Sequence, residues 1–255
     1  MFETTTGPVR VITAASLFDG HDAAINVMRR LIQSSGAEVI HLGHDRSAKD
    51  VVDCAVQEDA HAVALTSYQG GHMEYFTYIR ELLDDAGCSH VRIFGGGGGT
   101  ITPPEIRDLH KSGISRIYSP DDGRKMGLMG MIHDLMGTAS EVDLISSERL
   151  SSLTSPITPE NMAEVGLLLT LSESASAEDF SAIIEKVRSS EKEVPVIGFT
   201  GTGGAGKSSL LDELMLRILR DNPDKKICLL CVDPTRKRTG GALLGDRIRM
   251  NSLSN

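Results

Sequence analysis

Five short apolar runs recur between residues 8 and 137, each followed by a helical pattern. This alternation constrains the fold more than any other feature of the chain. The runs are Val9–Thr13, Glu38–His41, Ala62–Thr66, Val91–Phe94 and Arg116–Ser119. The helical patterns cover Ala23–Gln33, Ala48–Glu58, Glu74–Asp85, Pro104–Lys111 and Lys125–Met136. Strands joined by crossover helices run parallel and are covered on both faces. The pattern predicts an α/β architecture, a flavodoxin-like doubly wound parallel sheet of order 2-1-3-4-5. That order has a switch point between the first and third strands, and ligands bind there beyond the carboxyl ends. On the first helix, Ala24, Val27, Met28 and Leu31 share one face and read as core.

The residues leaving those strands carry chemistry. Asp19-Gly20-His21 follows the first strand. A carboxylate two residues before a histidine can accept a hydrogen bond from one ring nitrogen, which leaves the other free as a metal ligand. Gly20 lets the turn bring the two together. Alone, Asp-Gly reads as a turn and the histidine as a surface residue. Its companions change the reading: Thr66 and Ser67 end the third strand, and Gly96, Gly97 and Gly98 end the fourth. Three strand ends on one rim point to one large ligand. His72 stands between pocket and rim, His41 and His44 read as surface-loop residues, and Asp121-Asp122 as a turn or helix N-cap.

This set resembles the cobalamin-binding domain of the adenosylcobalamin-dependent acyl-CoA mutases, whose pattern is Asp-x-His-x-x-Gly, Ser-x-Leu and Gly-Gly. Ala24 stands in place of the last glycine of the first motif, and Thr66-Ser67-Tyr68 in place of Ser-x-Leu. These departures are similar to those of the fused isobutyryl-CoA mutases, which also carry a P-loop G-protein domain. The resemblance implies base-off adenosylcobalamin, with His21 on cobalt, Asp19 behind it, and the displaced nucleotide tail beside Thr66, Ser67 and Gly96–Gly98. It also implies radical carbon-skeleton isomerisation of an acyl-CoA in a barrel for which these residues offer no counterpart. No turnover is therefore expected of this chain alone. Partners would be cobalamin, acyl-CoA only through that barrel or a partner chain, and a possible oligomer.

A second motif lies downstream. Gly201-Thr202-Gly203-Gly204-Ala205-Gly206-Lys207-Ser208 fits G-x-x-x-x-G-K-[ST], between an apolar run at Val194–Phe199 and a helical pattern. The glycines let backbone N–H groups converge on phosphates. Lys207 would reach the β/γ-phosphates and Ser208 would hold Mg²⁺. The next apolar run, Ile227–Val232, ends in Asp233-Pro234-Thr235. That stretch resembles the G-protein chaperones of cobalamin-dependent mutases and makes Asp233 a nucleotide-site candidate, with Asp246 further on. No Asn-Lys-x-Asp loop is present to select guanine. Weak or absent GTP binding, no appreciable hydrolysis and an incomplete P-loop domain are therefore expected, as in an N-terminal portion of a longer protein.

The expected organisation is a cobalamin-binding domain at 1–137, a Ser/Thr-rich linker at 138–158, and a helical lead-in with the start of a P-loop domain at 159–255. A net charge of −9 and the absence of Trp speak against nucleic acid as a partner. No apolar run approaches a membrane span, and no basic–apolar signal opens the chain. With four cysteines in 255 residues, a cytoplasmic protein without disulfides is expected. Cys228-x-x-Cys231 reads as two small apolar strand residues. A non-catalytic cobalamin carrier or chaperone is the alternative. A phosphoacceptor receiver is disfavoured, because Thr66-Ser67 ends the third strand where an Asp is needed.

Overall fold

The structure is a computed structural model that describes residues 3–4, 7–154, 157–158, 160–187, 194–202 and 204–230. Contacts divide the chain into two units, 1–190 and 191–255.

The first unit is built on five parallel strands: β1 (Arg10–Ser16), β2 (Glu38–Arg46), β3 (Ala62–Thr66), β4 (Arg92–Gly96) and β5 (Arg116–Tyr118). Their order is β2-β1-β3-β4-β5, the expected doubly wound order. A two-residue antiparallel ladder, Glu3–Thr4 with Gly7–Pro8, precedes β1. β1 is buried after Arg10 and β3 throughout, as befits strands with neighbours on both sides and helices on both faces. The register sets Val11, Ile12 and Thr13 beside Ala62, Val63 and Ala64, and aligns Ala15 with Thr66. Thr66 in turn lies beside Gly96 of β4. The strand ends that carry the motifs are therefore adjacent.

Helices α1 (Asp22–Ser34) and α5 (Pro120–Ser140) cover one face, packing with Val11, Ala62, Ala64 and Phe94. Helices α2 (Ala48–Gln57), α3 (His72–Asp85) and α4 (Pro103–Lys111) neighbour one another on the other. Capping boxes begin three of them: Ser47 with Asp50, Thr102 with Glu105, and Ser119 with Asp122. Each satisfies first-turn N–H groups that would otherwise lack partners. Asp122 is thus a cap residue. α5 starts five residues earlier than the pattern suggested and breaks at Gly127, whose φ of 66° no helix accepts.

Residues 138–158 hold more structure than their composition suggests. α6 (Ser147–Ser151) lies here, and Val142, Leu144 and Leu153 are buried. Next come α7 (Met162–Ser174) and α8 (Ala177–Val187). α7 packs on α2 so closely that a Cβ on Gly166 would lie 2.8 Å from the Val56 carbonyl oxygen.

In the second unit the described residues form α9 (Lys207–Asp221), preceded by the phosphate-loop motif. Val194–Phe199, expected as a strand, is irregular, and Val196 is 93% exposed. A strand exists through its ladder, and the described residues here supply none. Residues 227–230 are likewise irregular, and Cys228 is exposed rather than buried. Cys231, Asp233, Asp246 and Gly203 lie outside the described residues. Among the described residues no helix is long and apolar enough to cross a membrane.

Candidate functional site

The site begins where β1 ends. A backbone hydrogen bond from Asp19 N–H to the Ser16 carbonyl, 3.0 Å, closes a tight turn through Leu17 and Phe18. The turn delivers Asp19 into the protein, where it is 2% exposed, and His21 to its surface, with a side chain 75% exposed. Asp19 Oδ1 accepts from the His21 backbone N–H at 2.9 Å and lies 2.8 Å from His21 Nδ1. Oδ2 accepts from Tyr68 N–H at 2.6 Å. Burial pushes the Asp19 pKa up, but the bonds from Tyr68 and His21 outweigh it and hold the carboxyl below its ordinary range. An ionised carboxylate only accepts, so its partner on the ring is Nδ1–H, and in the neutral ring the lone pair is on Nε2. The imidazole is therefore set for coordination through Nε2. The Tyr68 ring tilts against it, 5.4 Å between centroids.

The loops after β3 and β4 are joined to this turn. Ser16 Oγ donates to Ser67 Oγ at 2.9 Å, both buried, and Ser67 N–H donates to the Gly96 carbonyl. A Cβ on Gly97 would stand 2.0 Å from the Ser67 carbonyl oxygen, so only glycine fits there. Gly98 has a φ of 58°, the left-handed region. Gly95 is as constrained, since a Cβ would lie 2.3 Å from Phe76 Cζ.

Below the rim, between α1, the sheet and the kinked start of α5, is an apolar cavity of about 480 Å³. Thr66, Gly96, Gly97 and Gly98 line it, together with Ala24, Val27 and Met28 from α1 and Tyr118, Leu128 and Met131 opposite. The amphipathic reading of α1 is corrected here. Val27 is 51% exposed and, with Ala24, faces the cavity, whereas Met28 lines the cavity and also packs, with Leu31, against the core as expected. Ser67 is not in the lining; its hydroxyl is taken by Ser16. His72 is buried, its Nδ1 3.0 Å from the Gln69 carbonyl, and does not line the cavity. His41 Nδ1 is 2.9 Å from Thr13 Oγ1. Tyr68, Tyr118, Leu128 and Met131 were not foreseen. Tyr68 follows Thr66-Ser67 directly and was legible as a rim residue. Tyr118 ends β5, and Leu128 and Met131 come from α5 beyond its kink at Gly127.

One buried polar atom of a cavity-lining residue is unsatisfied. Thr66 Oγ1 is buried and has no hydrogen-bond partner among the described residues. Native structures seldom leave such an atom orphaned.

At the second motif, Gly204 and Gly206 take φ values of 78° and 80°, and Gly206 caps α9. Lys207 Nζ donates to the Gly201 and Thr202 carbonyls at 2.8 and 2.9 Å, curling over its own loop. Ala205 N–H donates to Thr202 O. Ser208 sits in the first turn of α9.

Comparison with known proteins finds two family matches along the chain. Residues 9–121 match the B12 binding domain family, and residues 165–255 match MeaB, the methylmalonyl Co-A mutase-associated GTPase. Across 96% of its length the chain is 53% identical to the fused isobutyryl-CoA mutase of Geobacillus kaustophilus and 55% identical to that of Nocardia farcinica. The chain belongs to the fused isobutyryl-CoA mutase family. It spans 23% of the length of each of these two relatives. The 2-hydroxyisobutanoyl-CoA mutase small subunit of Aquincola tertiaricarbonis is 30% identical over 45% of this chain and 82% of its own length. This member of the family thus carries a B12-binding domain followed by MeaB-type GTPase sequence.

Proposed function

We propose that the rim and cavity of the first unit would hold adenosylcobalamin base-off, with His21 ligating cobalt through Nε2 and the nucleotide tail in the cavity. The observation that carries this reading is the pairing of buried, ionised Asp19 with the exposed His21 ring, which packs against Tyr68 of the cavity lining. The donor set suits the group. Among the described residues no three His, Cys, Asp or Glu side chains gather to hold a bare metal ion, and a single imidazole suits a metal whose other ligands arrive with it. The cavity wall is mostly apolar, and Thr66, which lines it with Gly96, Gly97 and Gly98, carries a buried hydroxyl without a partner among the described residues that would bond a polar atom of the tail.

When bound, the cofactor supplies homolytic cobalt–carbon cleavage, which starts radical isomerisation of an acyl-CoA. The residues described here do the rest of the binding work. Asp19 fixes the tautomer and direction of His21 and strengthens its basicity. Tyr68 limits the tilt of the ring, and the Ser16–Ser67 bond keeps the first and third strand ends in register. The acyl-CoA site is supplied by a barrel in the same or a partner chain, as in a mutase built from a large and a small subunit. The Gly201–Ser208 loop would take the phosphates of GTP, with Lys207 on the phosphates and Ser208 on Mg²⁺.

The test is electron paramagnetic resonance of cob(II)alamin bound to ¹⁵N-labelled protein. A superhyperfine pattern from a ¹⁵N nucleus, lost in His21→Ala, is expected. A pattern from the cofactor's own ¹⁴N base would overturn the reading.

A further inference from the structure

The turn that delivers Asp19 and His21 is strained, and the strain is held from a third strand end. Phe18 is the third residue of the Ser16–Asp19 turn and has a φ of 62°. That position in a tight turn favours glycine, and a bulky side chain is an outlier there. The ring gains no packing that would explain it, being 85% exposed. What holds the conformation is the Phe18 backbone N–H, which donates to Asp45 Oδ1 at 2.7 Å. Asp45 is itself at a φ of 56°, near the end of β2. β2 reaches that far because the β1–β2 ladder shifts register, pairing Ala14 with Gly43 and Ser16 with Arg46. Tyr75 Oη donates to the Arg46 carbonyl at 3.0 Å and anchors the extension from α3. Two non-glycine residues in left-handed backbone, joined by one hydrogen bond beside a candidate ligand, are strain that the surroundings maintain.

We infer that Asp45 is a positioning residue of the cobalamin site: by pinning the Phe18 N–H it holds the turn that points Asp19 inward and His21 outward. The inference rests on the proposed His21 coordination. Without the pin, a phenylalanine in this position relaxes out of the left-handed region, and Asp19 and His21 lose their fixed relation. Asp45 touches neither the ring nor the cavity, and its effect passes through Phe18.

The experiment compares wild type, Asp45→Ala, Asp45→Asn and Asp45→Ala with Phe18→Gly in the full chain. Cob(II)alamin binding is followed by absorbance, the axial nitrogen by paramagnetic resonance of ¹⁵N-labelled protein, and folding by circular dichroism. Losing one hydrogen bond to a charged acceptor weakens binding about tenfold or more, so Asp45→Ala should bind at least that much more weakly and show a mixed axial-nitrogen pattern. Asp45→Asn, which keeps an accepting oxygen, should hold the protein-nitrogen pattern. The double variant should recover that pattern, because glycine keeps a positive φ without a pin. A folded Asp45→Ala with wild-type affinity and pattern overturns the inference and leaves His21 coordination standing. If Asp45→Ala does not fold, a double variant that folds but keeps the mixed pattern overturns it as well. A wild-type pattern from the cofactor's own base overturns both readings together.

Discussion

At the scale of single residues, Thr66 separates what serves the ligand from what serves the scaffold. Its buried hydroxyl has no partner among the described residues, so the free protein gains nothing from it. Thr66→Val should leave urea stability unchanged or raise it slightly, yet weaken cobalamin binding about tenfold, the usual worth of a buried hydrogen bond. Absorbance titration beside equilibrium unfolding checks this, and equal loss in both would make Thr66 structural. Asp19→Asn should bind about 10–100-fold more weakly than wild type, and His21→Ala more weakly still. An unchanged titration for Asp19→Asn would remove it from the site. Gly97→Ala carries a different penalty, because its new Cβ meets the Ser67 carbonyl at 2.0 Å, a backbone atom that cannot swing aside. Asp19, His21 and the glycines were legible as letters because their chemistry is local: two or three residues on one turn. Phe18 was not. Its strain and its bond to Asp45 depend on a residue 27 positions away, and nothing in Leu-Phe-Asp-Gly marks the phenylalanine as the strained one.

At the scale of elements, periodicity located every strand of the sheet and every helix around it, because each element's buried face repeats. It failed where an element serves a cavity. α1 has the apolar face of a core helix, but part of that face lines the slot, and an apolar ligand and an apolar core select the same side chains. α5 shows the converse. Glycines at 123, 127 and 130 weaken its pattern, and the kink at Gly127 has no periodic signature. The missing strand at Val194–Phe199 is a third case, since an apolar run reads as a strand whether or not a neighbour is there to pair with it. The α9 loop allows an element-scale test. Lys207 now bonds the Gly201 and Thr202 carbonyls, and phosphate binding would draw it away. Lys207→Ala should abolish any binding of a non-hydrolysable GTP analogue with Mg²⁺ in calorimetry while leaving the cobalamin titration untouched. Retained binding would show that the loop is not the nucleotide site.

At the scale of the whole first unit, a buried polar network ties distant segments together at the amino ends of the strands, opposite the site. Asp59 receives Arg149 on one oxygen and the Thr170 hydroxyl on the other, both at 2.7 Å, and Arg10 donates to the same Thr170 oxygen at 2.7 Å. α7, most of which falls within the MeaB match, is thereby fastened to the base of the cobalamin-binding sheet. No local pattern announces this, since its members are single polar letters 90 to 160 residues apart. Two histidines make the network sensitive to acid. His61 is fully buried, and its Nδ1 accepts from the Arg10 backbone N–H at 3.0 Å, a bond that requires a neutral ring. His90 Nε2 lies 3.8 Å from Asp59. Burial, then the arginines nearby, lowers both pKa values to about 4 against the opposing pull of Asp59. An unfolded histidine titrates near 6.5. Between those values the unfolded chain binds protons that the native protein refuses, so stability is complete above about pH 6.5 and falls as the pH drops towards 4. The slope in that window reaches about 1.4 kcal/mol per pH unit for each histidine. His61→Asn keeps an oxygen able to accept from Arg10 N–H but has nothing to titrate. Urea unfolding from pH 7.5 to 4.5 should therefore show a shallower decline for His61→Asn than for wild type, a comparison that cancels the carboxylates titrating in both. Parallel curves would mean that His61 carries its proton as readily folded as unfolded, and that this network does not set the acid limit of the unit.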